Sequence, residues 1–403
     1  MSAAALPLLV AGCATAMGSG VVPPTAALMK AAEARREKAG PAIAALRAGS
    51  FEDARRTSEE ILRSDGDQPE ARFVRAVARY RARIDQMGMD IRTVVVGAIT
   101  TGRINTVYLR QALEATAAEL AGVDDDLGVA AGAPYFELEL CPACWRSDWN
   151  QSGEIDEGDE HLLEVETDRE GHPLPSGDPR RRPTFTFDRG DLFWARALLS
   201  HQRALIDLFL AFEPEDLSSF FHGHSDELEI RVKVADAARV SSAKRLFLQG
   251  LSLAERARQE YLVETDDHQE WVPNPRQKDH AVPLEVDEAL YAKWGLVLED
   301  LRKLIEGEEG VDLAALARAQ RVDEAHVPQG FIDVGRWLRD PADFVIRLNR
   351  HGQPDTEIPR ILGPSWRQSM KASQLPSRIE GLQGTPLSGE FLEKKLKYLL
   401  WLN

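Results

Sequence analysis

From Ala27 to Leu120 apolar residues recur every three to four positions between short polar breaks, a spacing that predicts a run of antiparallel helices. Between 122 and 190 the rhythm changes, with fewer helical patterns and more Asp, Gly and Pro. Two stretches there alternate instead: Phe136, Leu138 and Leu140 stand between Glu137 and Glu139, and PTFTFD fills 183 to 188. Period-two alternation predicts short strands, and the two are candidates to pair as a small ribbon. Helical spacing returns at Asp191. One helix is predicted over 191 to 212, stopped by Pro214, and another over 235 to 262. A third, over 286 to 306, carries Leu290, Trp294, Val297, Leu301 and Leu304 on one stripe and ends at Gly307. Asp188, Gly190 and Asp191 read as a helix start, with Asp191 the candidate N-cap. The most apolar run, ALIDLFLAF at 204 to 212, is too short to cross a bilayer and contains Asp207, so it predicts a buried helix. After a stretch rich in Pro and Gly, GEFLEKKLKYLLWLN predicts a closing helix that docks on the body.

The expected fold class is therefore mostly α, with antiparallel helical hairpins, a small β-ribbon insert and a second helical core. The corresponding segments are 1–13, 14–26, 27–121, 122–190 and 191–403. With 403 residues, 43% of them hydrophobic, the chain has enough apolar surface for sizeable cores. Its 65 acidic against 49 basic residues give a formal charge of −16, which argues against a nucleic-acid partner and suits cation binding.

Part of the first helical segment resembles a tetratricopeptide repeat. In LRAGSFEDARRTSEEILRSDGDQPEARFVRAVARYR, Gly49 permits the turn, Phe51 and Ala54 fit the aromatic and small packing positions, and Leu62 closes the first helix. Glu70, Ala71 and Phe73 open the next. Pro69 falls two residues later than that pattern has it, and the large aromatic usual early in the first helix is missing. The resemblance covers one repeat, residues 42 to 81. A lone repeat cannot bury its own apolar face, so helices at 27 to 39 and 105 to 121 are expected to complete the stack. Two readings stay open, a concave surface for a protein partner and a hairpin packed inside the fold.

Residues 148 to 159, DWNQSGEIDEGD, resemble an EF-hand loop, which takes oxygen ligands from positions 1, 3, 5, 7, 9 and 12 and needs glycine at 6. Asp148, Asn150 and Ser152 occupy 1, 3 and 5, Gly153 is the turn, and Glu154 offers its carbonyl. Asp156 and Asp159 hold 9 and 12, and Ile155 fills the apolar position 8. The resemblance implies Ca²⁺ as the cofactor. Asp159 stands where the family has glutamate, and its shorter reach lets Mg²⁺ compete. Pro142 and the cysteines take the place of an entering helix, and no second loop matches, so a structural ion is expected rather than a sensor pair.

Cys141 and Cys144 enclose Pro142 and Ala143, a spacing open to a local disulfide, a redox pair or half of a zinc site. His222, His224 and Asp226 form a weak metal pattern that reads first as a polar turn. The basic run DPRRRP at 178 to 183 reads as an internal ion-pair network, with a phosphate or headgroup site as the other reading. Trp271 reads as a loop anchor, or as an interface residue if exposed. The sequence contains no glycine-rich phosphate loop, G-x-S-x-G elbow or H-E-x-x-H pair.

The first residues, MSAAALPLLVAGC, resemble a bacterial lipoprotein signal, with Val10, Ala11 and Gly12 ahead of Cys13. The family pattern departs in one respect, the lack of Lys or Arg before Cys13. The resemblance implies lipidation of Cys13 and a membrane partner reached through that lipid, with residues 14 to 26 as tether. Ala14 after the cysteine implies the outer membrane, with the body in the periplasm or at the cell surface. The expected function is a calcium-binding, membrane-anchored envelope lipoprotein that serves as a protein-interaction or scaffolding module. The alternatives are an envelope enzyme using the cysteine pair or a histidine metal site, and a secreted substrate-binding module.

Overall fold

Thr25 is the N-cap of the first described helix, its hydroxyl accepting from the Leu28 amide at 3.4 Å. The computed structural model describes residues 25–145, 148, 154, 164–168, 170–214, 227–267, 269–278, 280–281, 286–312 and 331–349. Four helices follow in order: α1 Ala26–Arg47, α2 Phe51–Ser64, α3 Pro69–Thr101 and α4 Thr106–Ala131. Gly49, at φ 72°, makes the tight turn from α1 to α2 that a side chain would strain. Gln68 caps α3 and Pro69 stands at its first position, where the missing N–H leaves no bond broken.

The fourth helix extends ten residues beyond the helical segment that its sequence suggested, through Gly122, three consecutive aspartates and Gly128. Packing explains the difference. Asp126 is buried and accepts from Arg72 Nη1 at 2.9 Å, Arg75 Nε at 2.9 Å and Arg79 Nη1 at 3.2 Å, all on the facing side of α3. Asp124, also buried, takes Arg196 Nε at 2.7 Å from the next helix. Residues that look like a polar loop in the sequence thus form two interhelical ion networks.

Strand β1 (Glu137–Leu140) pairs antiparallel with β2 (Phe185–Asp188) in the register Leu138 to Phe187 and Leu140 to Phe185, the predicted ribbon. Phe136, Leu138 and Leu140 face the main core beside Phe73 and Leu192, each contributing about 1.5–3 kcal/mol by burial. Helix α5 (Arg189–Ala211) runs antiparallel to α4, and α6 (Ala237–Val263) packs antiparallel along α5. Helix α7 (Glu288–Glu306) closes on Gly307 at φ 82° as predicted, and lays Trp294 against Trp194 of α5 with ring centroids 5.1 Å apart. The run 204 to 212 is buried on one face only: Ala204, Ile206 and Leu210 point inward, whereas Leu205 and Phe209 are exposed.

Two further sheets were not visible in the hydrophobic pattern. Strand β3 (Phe212–Pro214) pairs with β4 (Glu227–Val234), and β5 (Val311–Asp312) pairs with β6 (Phe331–Ile332). After the short helix α8 (Val334–Arg339), β7 (Phe344–Asn349) joins the other edge of β4. The predicted closing helix at 389 to 403 lies outside the described residues.

Candidate functional site

Where β2 meets α5, Asp188 is the N-cap, not Asp191. The Asp188 carboxylate accepts from the Asp191 amide at 3.2 Å and Asp191 accepts from the Asp188 amide at 3.0 Å, a reciprocal capping box. Asp191 thereby becomes a buried third residue of the helix, and the Tyr261 hydroxyl at the end of α6 donates to it at 2.9 Å. Gly190 permits that approach, since a Cβ there would stand 2.5 Å from the Tyr261 ring.

Past Val263 the chain folds back over this junction. The Asn274 amide group donates to the Tyr261 carbonyl at 2.8 Å, and Gln277 accepts from the Asn274 N–H at 2.7 Å. Both amides are fully buried, so they fix the return of the loop from the inside. Gln269 takes a positive φ of 47°, a conformation that costs a side-chain-bearing residue energy, and its carbonyl accepts from the Thr186 amide at 3.2 Å. Glu270 follows at 4% exposure, and Trp271 packs on Phe185 and Phe187 with centroids at 4.7 and 5.4 Å. Trp271 is therefore an anchor of this loop.

The result is a cluster of acids. One carboxylate oxygen from each of Asp188, Glu264 and Glu270 lies within 4.8 Å of the others. Glu264 Oε1 is buried with no hydrogen-bond partner among the described residues, while Gln277 reaches its other oxygen at 3.4 Å. Burial first, and then the charges of Asp188 and the other acids, raise the Glu264 carboxyl far above the carboxylate range and Glu270 to about 10. Burial followed by the Asp188 charge likewise lifts Asp191. Among the described residues no Arg or Lys forms an ion pair with any of the four.

A crowded acid set of this kind is relieved by protons or by a hard cation. Ca²⁺ bonds oxygen at 2.3–2.6 Å, so ligands on one ion stand up to about 5 Å apart, a span these three oxygens fit. An all-oxygen set suits Ca²⁺, Mg²⁺ or Mn²⁺ rather than zinc. In a second group, Asp168, Glu170 and His172, Asp168 is half-buried and the other two are exposed, and Asp168 already accepts from the His172 amide at 2.8 Å.

Beside the acids lie two apolar cavities that share Trp194 and Leu198 as a common wall. One, of about 210 Å³, is lined by Phe73, Tyr80, Trp145, Phe187 and Trp271 and borders Asp191. The other, of about 360 Å³, is lined by His201, Leu251, Val272, Tyr291 and most of the α7 stripe. The buried indole N–H groups of Trp145 and Trp194 find no acceptor among the described residues.

The residues singled out in the sequence are distributed unevenly. Cys141 and Cys144 form a disulfide across the short 3-10 turn Pro142–Cys144, directly after β1. The basic run is an ion network, Arg181 and Arg182 each reaching the buried Glu164 at 2.7 Å. Of the EF-hand-like loop, Asp148 is half-buried and Glu154 exposed, whereas Asn150, Ser152, Asp156 and Asp159 lie outside the described residues. Asp148 sits close enough to Asp85 of α3 that its charge adds to the burial that raises the Asp85 carboxyl. Cys13, His222, His224 and Asp226 also lie outside the described residues. The carboxylate cluster itself was missed. Asp188 read as part of a helix start, and the acids of VETDDHQEW, at 263 to 271, carried no reading of their own.

No known protein family, curated protein or solved structure matches the chain.

Proposed function

We propose that this chain is a divalent-cation-stabilised helical binding protein of the bacterial cell envelope, held at the membrane through a lipid on Cys13. One observation carries the cation reading: Asp188, Glu264 and Glu270 converge from two distant segments without an arginine or lysine partner among the described residues. Ca²⁺ at this cluster locks the loop after α6 onto the start of α5. The loop at 148 to 159 is a second cation site in this proposal, supported by its ligand spacing, and the disulfide at Cys141 and Cys144 braces its entrance. Anchoring rests on the Val-Ala-Gly-Cys pattern, and the protein partner on the tetratricopeptide-like run.

Thermal unfolding with Ca²⁺ and with a chelator tests the cation reading. Binding at a hundred times the dissociation constant adds about 2.7 kcal/mol, a shift of several degrees. In Glu264→Gln/Glu270→Gln the chelated protein gains stability over the wild type and the Ca²⁺ response of this site is lost. An unchanged melting curve in the wild type at millimolar Ca²⁺ contradicts the reading. Labelled palmitate incorporated by the wild type and by Cys13→Ser alike removes the anchor.

The two apolar cavities favour a second reading, a module that binds a small, mostly apolar molecule. Such a ligand would offer acceptors to the Trp145 and Trp194 indoles. Quenching of tryptophan fluorescence by a fatty acid, lost in Leu198→Trp, distinguishes it from the scaffold reading.

A further inference from the structure

Helix α3 spans 33 residues, about 50 Å, yet most of its buried residues lie in its first half, from Pro69 to Arg81. Beyond Asp90 only Val94 and Ala98 are buried on it. Apart from the half-buried Ile104, the large apolar side chains of this hairpin tip are exposed: Ile91, Val95, Val96, Ile99 at 77% exposure and, on α4, Val107 at 65%. The base of the tip is fixed. Asp90, buried, accepts from the Tyr108 hydroxyl at 2.8 Å, Arg83 at 2.8 Å and Gln86 at 3.0 Å, so the projecting turn is held on a rigid stem.

Two features say what covers the tip. First, residues 91 to 113 contain Arg92, Arg103 and Arg110 and no Asp or Glu, in a chain whose net charge is −16. Arg103 is exposed at the turn itself. Second, the hydroxyls of Thr93, Thr100 and Thr101 donate to carbonyls of their own helix at 2.9, 2.8 and 2.7 Å, so these groups need no water. We propose that the α3–α4 tip inserts into the interface of an anionic lipid bilayer, with Ile99 and Val107 among the acyl chains and Arg103 at the headgroups. From Asp90 the tip rises only about 17 Å, too short to span the hydrocarbon, and among the described residues no helix is long and apolar enough to cross a membrane. A symmetric tip-to-tip dimer of this chain is disfavoured, because it sets Arg103 against its own copy.

The contact does not depend on the cation reading. It is tested with the full Cys13→Ser chain, which carries no lipid, and vesicles of phosphatidylcholine with or without phosphatidylglycerol. Residues 1 to 12 are common to every protein compared, so their contribution cancels. The parent sediments with the anionic vesicles. Adding Val96→Asp/Ile99→Asp lowers its partition at least about tenfold with the melting temperature preserved. Arg103→Gln lowers it about fivefold, on the anionic vesicles only. Equal partition of the parent and the double variant overturns the proposal. So does a parent that ignores vesicles but forms concentration-dependent dimers lost in the double variant, which makes the tip a contact between copies.

Discussion

Asp126 and Glu270 are both buried carboxylates, and their surroundings are opposite. Three arginines of α3 surround Asp126, and although burial alone would raise its pKa, hydrogen bonds and charge from Arg75, Arg72 and Arg79 hold it below the usual range. Glu270 meets burial and other acids, and its pKa rises to about 10. Ion pairing differs in the same way around each, although burial still raises the Glu70 carboxyl. Glu70 and Asp124 in the four-helix region each pair with an arginine, whereas Asp188, Asp191 and Glu264 in the second region face one another. In the first region the chain supplies its own countercharge, so the helices are complete as they stand. In the second, Glu260 is paired by Arg256 and Arg189, but the neighbouring acid cluster has no arginine or lysine ion pair among the described residues.

Removing the acid from the first set gives the largest effect. Asp126→Ala removes the acceptor shared by Arg72, Arg75 and Arg79, leaving Arg75 without its carboxylate while Arg79 keeps Glu119, and lowers stability by about 3–5 kcal/mol in urea unfolding. A loss below about 1 kcal/mol breaks the contrast, since the arginines would then be solvated. Next is pH. An acid whose pKa is higher folded than unfolded holds more protons in the folded state, so stability falls as pH rises between the two values, for Glu270 from about 4 to about 10. Asp126, held low, contributes fully above the unfolded carboxylate pKa and loses its contribution only as pH drops through the lowered value. Between pH 6 and 8 the chelated protein therefore loses on the order of 2 kcal/mol, a slope reduced in Glu270→Gln and by saturating Ca²⁺. A flat profile in chelator denies that the second set is short of countercharge.

Smaller effects sharpen the comparison. Cys141→Ser/Cys144→Ser opens a four-residue loop beside the ribbon that carries Asp188 and costs about 2 kcal/mol, with the slope of stability against pH unchanged. A change in that slope would tie the disulfide to the acid cluster. Val96→Asp/Ile99→Asp adds acids in open solvent and shifts stability by no more than about 0.5 kcal/mol, which separates burial from acidity as the cause of the contrast.

Local signals carried the helices and the ribbon into the sequence plainly. Leu138 and Leu140 alternate and pair as their spacing predicts, and Gly307 ends α7 where the apolar stripe ends. The end of α4 was obscured because Asp124 and Asp126 look like loop residues until Arg72, Arg75 and Arg79, spaced one turn apart on α3, are placed opposite. The carboxylate cluster was hidden for a different reason. Asp188 and Glu270 stand 82 positions apart, and only the antiparallel course of α5 and α6, with Asn274 and Gln277 turning the loop inward, brings them together. Side-chain spacing along one segment cannot show a site built from two.

One divalent cation held by Asp188, Glu264 and Glu270 is the proposal on which the second region's behaviour turns. Calorimetric titration of the metal-free protein with Ca²⁺, compared among the wild type, Glu270→Gln and Asp148→Ala, tests it most directly. With the cation at this cluster, one saturable site persists in Asp148→Ala and disappears in Glu270→Gln. Binding isotherms that are identical in Glu270→Gln and the wild type would contradict it and leave the cluster as acids held together by shared protons.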